Sequence, residues 1–170
     1  MSLLTSAATK AFVALGSNLG DSRALVLAAM DRLERLSAAP LLRSSLWQST
    51  PVGCPPGSPM FVNAVVGLKP SPGETPETLF GKLQALEKEF GRGPKSVPNE
   101  PRPLDLDLIA WGDEVRSTPT LTLPHPRAHL RRFVLQPLVE IVPELILPGQ
   151  TKAASRVLAQ LNSGEVMKRL

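Results

Sequence analysis

Apolar residues recur along this chain with two different periods. From Lys10 to Leu15 they run unbroken and end in GSNLGD, which predicts a buried strand, a turn and a helix start, with Asn18 or Asp21 as the helix cap. Leu25, Ala29, Leu33 and Leu36 then return at helical spacing between Asp21 and Leu36, with Arg23, Asp31 and Arg35 between them, so an amphipathic helix packed on a sheet is expected; Pro40 closes the connection. Leu41 to Ser49 alternates apolar and small polar residues, and Phe61 to Leu68 (FVNAVVGL) reads as another strand, with the loop PVGCPPGSP between the two. A second helix is predicted from Pro76 to Phe90. Thr75 is placed to cap it, Pro76 suits its first turn, Gly91 sits where a terminating glycine belongs, and Leu79, Leu83, Leu86 and Phe90 form its apolar stripe.

The segment from Gly91 to Pro103 has too many prolines for regular structure and several basic residues, so it reads as a basic loop that delivers into a strand from Leu104 to Trp111. A turn at GDE leads to TLTLPHP, a short strand stopped by prolines, and shorter helices are expected from Ala128 to Val142 and from Thr151 to Leu161. This order predicts an α+β arrangement in which helices cover one face of a mainly antiparallel sheet and leave the other for a site. With 170 residues, 42% of them hydrophobic, the expectation is one domain over the whole chain, with residues 1–9 as a loose N-terminal extension.

Charge and cysteine usage narrow the function classes. A formal charge of +4 comes from arginines scattered through the chain, which favours a local anion site over a nucleic-acid arm. Cys54 is the only cysteine, so no internal disulfide forms. No stretch approaches the roughly 20 apolar residues of a membrane span, and the start lacks a signal-peptide pattern, so a soluble, cytoplasmic protein without a membrane partner is expected; a monomer without nucleic-acid partners is a separate expectation.

RPLDLDL is the most informative segment. A strand repeats every two residues, so Asp105 and Asp107 share one face while Leu104, Leu106 and Leu108 share the other. Two carboxylates about 7 Å apart along a strand repel each other unless a divalent cation or basic side chains neutralise them, and hard oxygen ligands suit Mg²⁺. A bare DxD more often faces solvent; the basic residues Arg92, Lys95 and Arg102 before it, and His125, Arg127, His129, Arg131 and Arg132 after the next strand, favour a polyphosphate held by metal and arginine. Gln84 and Glu87 lie on the helix side away from its leucines, where they meet either a ligand or solvent. Asn63 interrupts an apolar strand and needs partners for its amide, and Phe61 or Phe133 offers a stacking face or simply core. GSNLG has neither the spacing nor the lysine of a phosphate-binding P-loop.

The segments ALGSNLGD, SSLWQSTPVG, FVNAVV, QALEKEFGR, PRPLDLDLIAWGDE and LPHPRAHLRRFVLQPLVEIVPEL together resemble the 6-hydroxymethyl-7,8-dihydropterin pyrophosphokinase family across nearly the whole chain. The resemblance implies a ferredoxin-like α+β fold, ATP and 6-hydroxymethyl-7,8-dihydropterin as substrates, AMP as the released nucleotide, and a place in folate biosynthesis. Carried over, Asp105 and Asp107 would hold two Mg²⁺ ions bound with ATP. Arg92, Arg102, His125 and Arg131 would contact phosphates, and Gln84, Glu87 and Leu108 would lie near the nucleotide. Ser49, Thr50, Val52, Phe61, Asn63 and Phe133 would form the pterin pocket. Asn99 and Glu100 depart from the family pattern, standing where tryptophan and glycine are frequent. Two other readings stay open from the residues alone: a ferredoxin-like RNA-binding module, for which a chain with 4% aromatic residues is poorly supplied, and a kinase that moves only the γ-phosphate.

Overall fold

The computed structural model describes residues 10–51, 54–91 and 100–170. The unbroken apolar run forms strand β1 (Ala11–Ser17), all seven residues of which are buried. Such a run suits a strand covered on both faces, and β1 is central in its sheet. Helix α1 (Ser22–Glu34) follows, capped by Asp21, whose Oδ1 accepts the Ala24 N–H at 3.2 Å. Its buried face is Val26, Ala29, Met30 and Leu33. Leu25 and Leu36, expected in that stripe, are only partly buried at its margins. Leu25, Val26 and Leu27 are consecutive, so more than one phase satisfies the period; the one adopted places an i, i+3, i+4, i+7 set against the sheet.

Strands β2 (Leu42–Arg43) and β3 (Trp47–Ser49) both pair with β4 (Phe61–Leu68). Helix α2 (Pro76–Glu89) starts at a reciprocal cap: Thr75 Oγ1 accepts the Thr78 N–H at 3.1 Å, and Thr78 Oγ1 accepts the Thr75 N–H at 2.9 Å. Leu79, Leu83 and Leu86 are buried as the period predicts, each burial contributing about 1.5–3 kcal/mol, and Gly91 ends the helix at φ 97°. Strand β5 (Asp105–Trp111), the two-stranded ribbon β6 (Arg116–Ser117) and β7 (Thr122–Leu123), and a 3₁₀ turn at Ala128–Leu130 come next. Helices α3 (Arg132–Ile141) and α4 (Ala154–Gln160) and strand β8 (Met167–Arg169) complete the chain. The helix expected from Ala128 thus splits into a 3₁₀ turn and α3, and β8 has no counterpart in the sequence expectations.

The main sheet is antiparallel throughout, in the order β5–β1–β4–β3–β8, with β2 alongside β4. Val13, Leu15, Ala64, Val66, Leu106 and Leu108 point to the face packed by α1 and α2, whereas Phe12, Ala14, Val65 and Ile109 point to the face packed by α3 and α4. The result is an α+β, ferredoxin-like arrangement. Helices therefore lie on both faces, not one: α3 carries an apolar face of Val134, Leu135 and Leu138 that must be covered. Among the described residues the second face is left open where β5, β1, β4 and β3 run past the start of α3, and the cavity lies there.

Candidate active site

The cavity has a volume of about 360 Å³, and its floor is set by strand register. Gly16 of β1 lies directly between Asp105 on β5 and Asn63 on β4, and Ala14 lies opposite Asp107. Asp105 and Asn63 are therefore two strand spacings, roughly 10 Å, apart on the same face. Gly16 keeps the floor low between them, since a Cβ there would sit 3.3 Å from Asn63 Nδ2 and 3.7 Å from the Phe61 ring.

At the β4 end, the buried Ser49 hydroxyl donates to Asn63 Oδ1. With its oxygen engaged, Asn63 turns its amide nitrogen over Gly16, giving a neutral donor in a cavity that Phe61 and Phe133 also line. At the β5 end the groups are charged. Arg102 Nη1 donates to Asp105 Oδ2 at 3.3 Å, with the arginine side chain only 13% exposed. Its Nε is buried with no hydrogen-bond partner among the described residues, a donor left over for an acceptor from outside the protein. Arg131 stacks on the Phe133 ring with its guanidinium carbon 5.3 Å from the centroid, linking the two ends. Burial draws the Arg131 guanidinium below the usual arginine range, with Asp107 and Asp105 opposing the shift.

Asn18 holds Arg102 in place. Its Oδ1 accepts the Arg102 N–H at 2.9 Å and its backbone N–H donates to Arg102 O at 3.1 Å, while Nδ2 reaches Pro59 O at 3.4 Å. Buried to 2% exposure, it ties the turn after β1 to the segment entering β5 instead of capping α1. His125 is fixed through its backbone N–H, which donates to Ile109 O at 2.8 Å. Burial, followed by Arg131 and Arg127, lowers its pKa to about 4, with Asp105 opposing, so the ring is neutral at pH 7. The Arg127 N–H donates to Nδ1 at 3.2 Å, which leaves the ring proton on Nε2.

Of the residues expected from the sequence, Ser49, Thr50, Phe61, Asn63, Arg102, Asp105, Asp107, Arg131 and Phe133 all line this cavity. Gln84 is exposed on α2, and Glu87, one turn on, accepts the Leu106 N–H at 2.8 Å along the outer edge of β5. Leu108 points its side chain into the opposite core, so only its backbone is available to a ligand at that edge. Arg92, Val52, Lys95 and Asn99, together with residues 1–9, lie outside the described residues. The sequence reading did not single out Gly16 or Glu165, both of which line the cavity, or the part Asn18 plays. Among the described residues no three His, Cys, Asp or Glu side chains cluster to hold a metal. Two strand carboxylates fit a hard cation that takes its other ligands from water and phosphate oxygens, and do not fit a closed structural metal site.

Comparison with known proteins agrees with this chemistry. Residues 12–143 match the family model described as 7,8-dihydro-6-hydroxymethylpterin-pyrophosphokinase. A Pseudomonas aeruginosa protein named 2-amino-4-hydroxy-6-hydroxymethyldihydropteridine pyrophosphokinase is 41% identical over 140 residues, covering 82% of this chain and 84% of the relative. The protein of the same name from Haemophilus influenzae is 39% identical, covering 82% and 85%. The folic acid synthesis protein fol1 of Pneumocystis carinii is 36% identical over 81% of this chain but only 18% of its own length. Among solved structures, Plasmodium falciparum HPPK-DHPS with pteroate is similar with a TM-score of 0.69 at 12% identity, covering 89% of this chain and 42% of that chain. At such identity the likeness concerns the fold alone, and this chain spans less than half of that one.

Proposed function

This chain belongs to the 7,8-dihydro-6-hydroxymethylpterin-pyrophosphokinase family, and from that premise we propose that it transfers pyrophosphate from ATP to 6-hydroxymethyl-7,8-dihydropterin, releasing AMP, in folate biosynthesis. The observation that carries this reading is the division of one cavity into an aromatic-lined end with an amide donor at Asn63 and an end that carries Asp105, Asp107 and Arg102. A flat heterocycle with a polar edge suits the first, a polyphosphate the second, and the roughly 10 Å between them accommodates a pterin whose hydroxymethyl arm points towards the phosphates.

In this reading Asn63, Ser49, Thr50 and Val52 take the polar edge of the pterin, and Phe61 and Phe133 take its faces. Asp105 and Asp107 hold Mg²⁺, two ions bound with ATP, which supply neutralisation of the polyphosphate charge. Arg102 turns its unpartnered Nε to a phosphate oxygen, Arg131 and Arg92 add positive charge, and neutral His125 donates from Nε2. The nucleotide lies along the outer edge of β5, where the Leu108 backbone, Gln84 and Glu87 flank it. The hydroxymethyl oxygen attacks the β-phosphorus in line, its proton passing to solvent, as the bond from that phosphorus to the α–β bridging oxygen breaks and AMP departs. The protein is a cytoplasmic monomer in this account; among the described residues no helix is long and apolar enough to cross a membrane.

The RNA-binding alternative is not supported, because the family match is to an enzyme, and Arg102, Arg127 and Arg131 converge on one cavity instead of spreading over a sheet face. Asp107→Ala tests the assignment. Mg²⁺-dependent AMP release should fall by about 10²–10³-fold or more while the circular dichroism spectrum and thermal midpoint stay near wild type; a variant that keeps its rate removes Asp107 from the site.

A further inference from the structure

The segment 161–169 ties two walls of the cavity together. Strand β8 pairs with β3, placing Trp47 opposite Arg169 and Ser49 opposite Met167. Just before it, the Val166 N–H donates to Thr50 Oγ1 at 3.2 Å, and the Thr50 N–H donates to Val166 O at 3.3 Å. Thr50 lies on the β3 wall. One residue earlier, Glu165 lines the cavity and accepts the N–H groups of Arg132 and Phe133 on its two carboxylate oxygens, at 3.2 and 3.1 Å. Those are the first two N–H groups of α3, which have no partner within the helix and sit at its positive end. The Arg132 guanidinium adds a bond to Leu161 O at 3.1 Å, so the strap is held at both ends.

Residues 161–169 lie beyond the 12–143 that match the family model. The strap joins Thr50 on one wall to Phe133 on the other through the consecutive residues Glu165 and Val166.

We propose that Glu165 is a positioning residue for the pterin end of the site: carried by the C-terminal strap, it fixes the start of α3 and so sets the Phe133 ring against the β3 wall. The proposal rests on the assignment of that end of the cavity to the pterin. Glu165 acts through Phe133 and Thr50 and not on the phosphates, so its loss weakens the aromatic slot and leaves the nucleotide end intact.

The test is steady-state kinetics of Glu165→Ala, Glu165→Gln and Val166→Pro in the full chain, with KM measured separately for each substrate. Val166→Pro removes the N–H that bonds Thr50 without changing a side chain in the cavity. Glu165→Ala is expected to raise the pterin KM about tenfold while the ATP KM stays within about twofold. Glu165→Gln, which keeps one oxygen acceptor, should fall between wild type and alanine, and Val166→Pro should shift the same KM in the same direction. Unchanged pterin KM values, or equal rises in both KM values alongside a lower melting temperature, overturn the proposal. If Glu165→Ala does not fold, the other two variants decide it by the same criteria. A wild-type chain without pyrophosphoryl transfer fails the functional reading instead; pterin fluorescence titration of the same variants then decides the strap, and absence of pterin binding by the wild type sinks both.

Discussion

Asn18→Ala should uncouple the charged end of the cavity from the turn that positions it. The substitution removes the acceptor of the 2.9 Å bond from the Arg102 N–H and the weaker 3.4 Å contact to Pro59 O, but leaves the backbone bond from the residue 18 N–H to Arg102 O. Orphaning a donor in a largely buried place costs about 1–3 kcal/mol, and the long contact to Pro59 adds little. A loss of about 2 kcal/mol is therefore expected, which for a chain of this size lowers the melting temperature by roughly 4–8 °C. The catalytic effect should exceed the stability effect. Arg102 pairs with Asp105 at 3.3 Å and presents a buried, unpartnered Nε, and a displacement near 1 Å of such a group costs on the order of 10²-fold in rate. The assay is AMP release at saturating ATP and pterin, well below the melting temperature, beside a thermal melt. Asn18→Asp, which keeps the acceptor and loses only the Pro59 contact, should retain most of the stability. An Asn18→Ala protein with wild-type melting temperature and turnover would refute the reasoning.

Gly16→Ala tests the floor of the cavity: the backbone there is extended and accepts alanine, but the new Cβ would sit 3.3 Å from Asn63 Nδ2, so crowding of about 1–2 kcal/mol should raise the pterin KM roughly tenfold and spare the ATP KM. The pH dependence of stability should carry a contribution from His125. Burial and Arg131 hold its pKa at about 4 against an ordinary 6.5, so between those values the unfolded chain binds the proton more readily, and stability falls as pH drops from about 6.5 towards 4. Urea unfolding at pH 7 and pH 5 should show a smaller decrease for His125→Gln than for wild type; equal decreases would show that His125 is not held neutral.

Much of the fold is written locally. β1 is legible because an unbroken apolar run suits only a strand covered on both faces, and α2 because Thr75, Pro76 and Gly91 mark its ends around a single leucine phase. The aspartates of β5 are legible because strand alternation alone separates them from Leu106 and Leu108. What the sequence hides is long-range pairing. Asn18 precedes a helix and so looks like a cap, whereas its partner is 84 residues away. β8 is three residues with no apolar alternation, held only by the edge it meets. Glu165 belongs to no motif and reaches the cavity because β8 docks beside β3. The order of helices and strands does not say which sheet face each helix takes, so the packing of α3 and α4 on the second face is not legible in it.

The central claim is that one cavity holds a pterin at Asn63 and a polyphosphate at Asp105 and Asp107 so that the pterin oxygen meets the β-phosphorus. Incubation of the protein with ATP, Mg²⁺ and 6-hydroxymethyl-7,8-dihydropterin, followed by phosphorus NMR of the products, tests it most directly. The account predicts AMP and a pterin diphosphate in equal amounts, formed only when both substrates are present. ADP with a pterin monophosphate, or nucleotide turnover indifferent to the pterin, would contradict it.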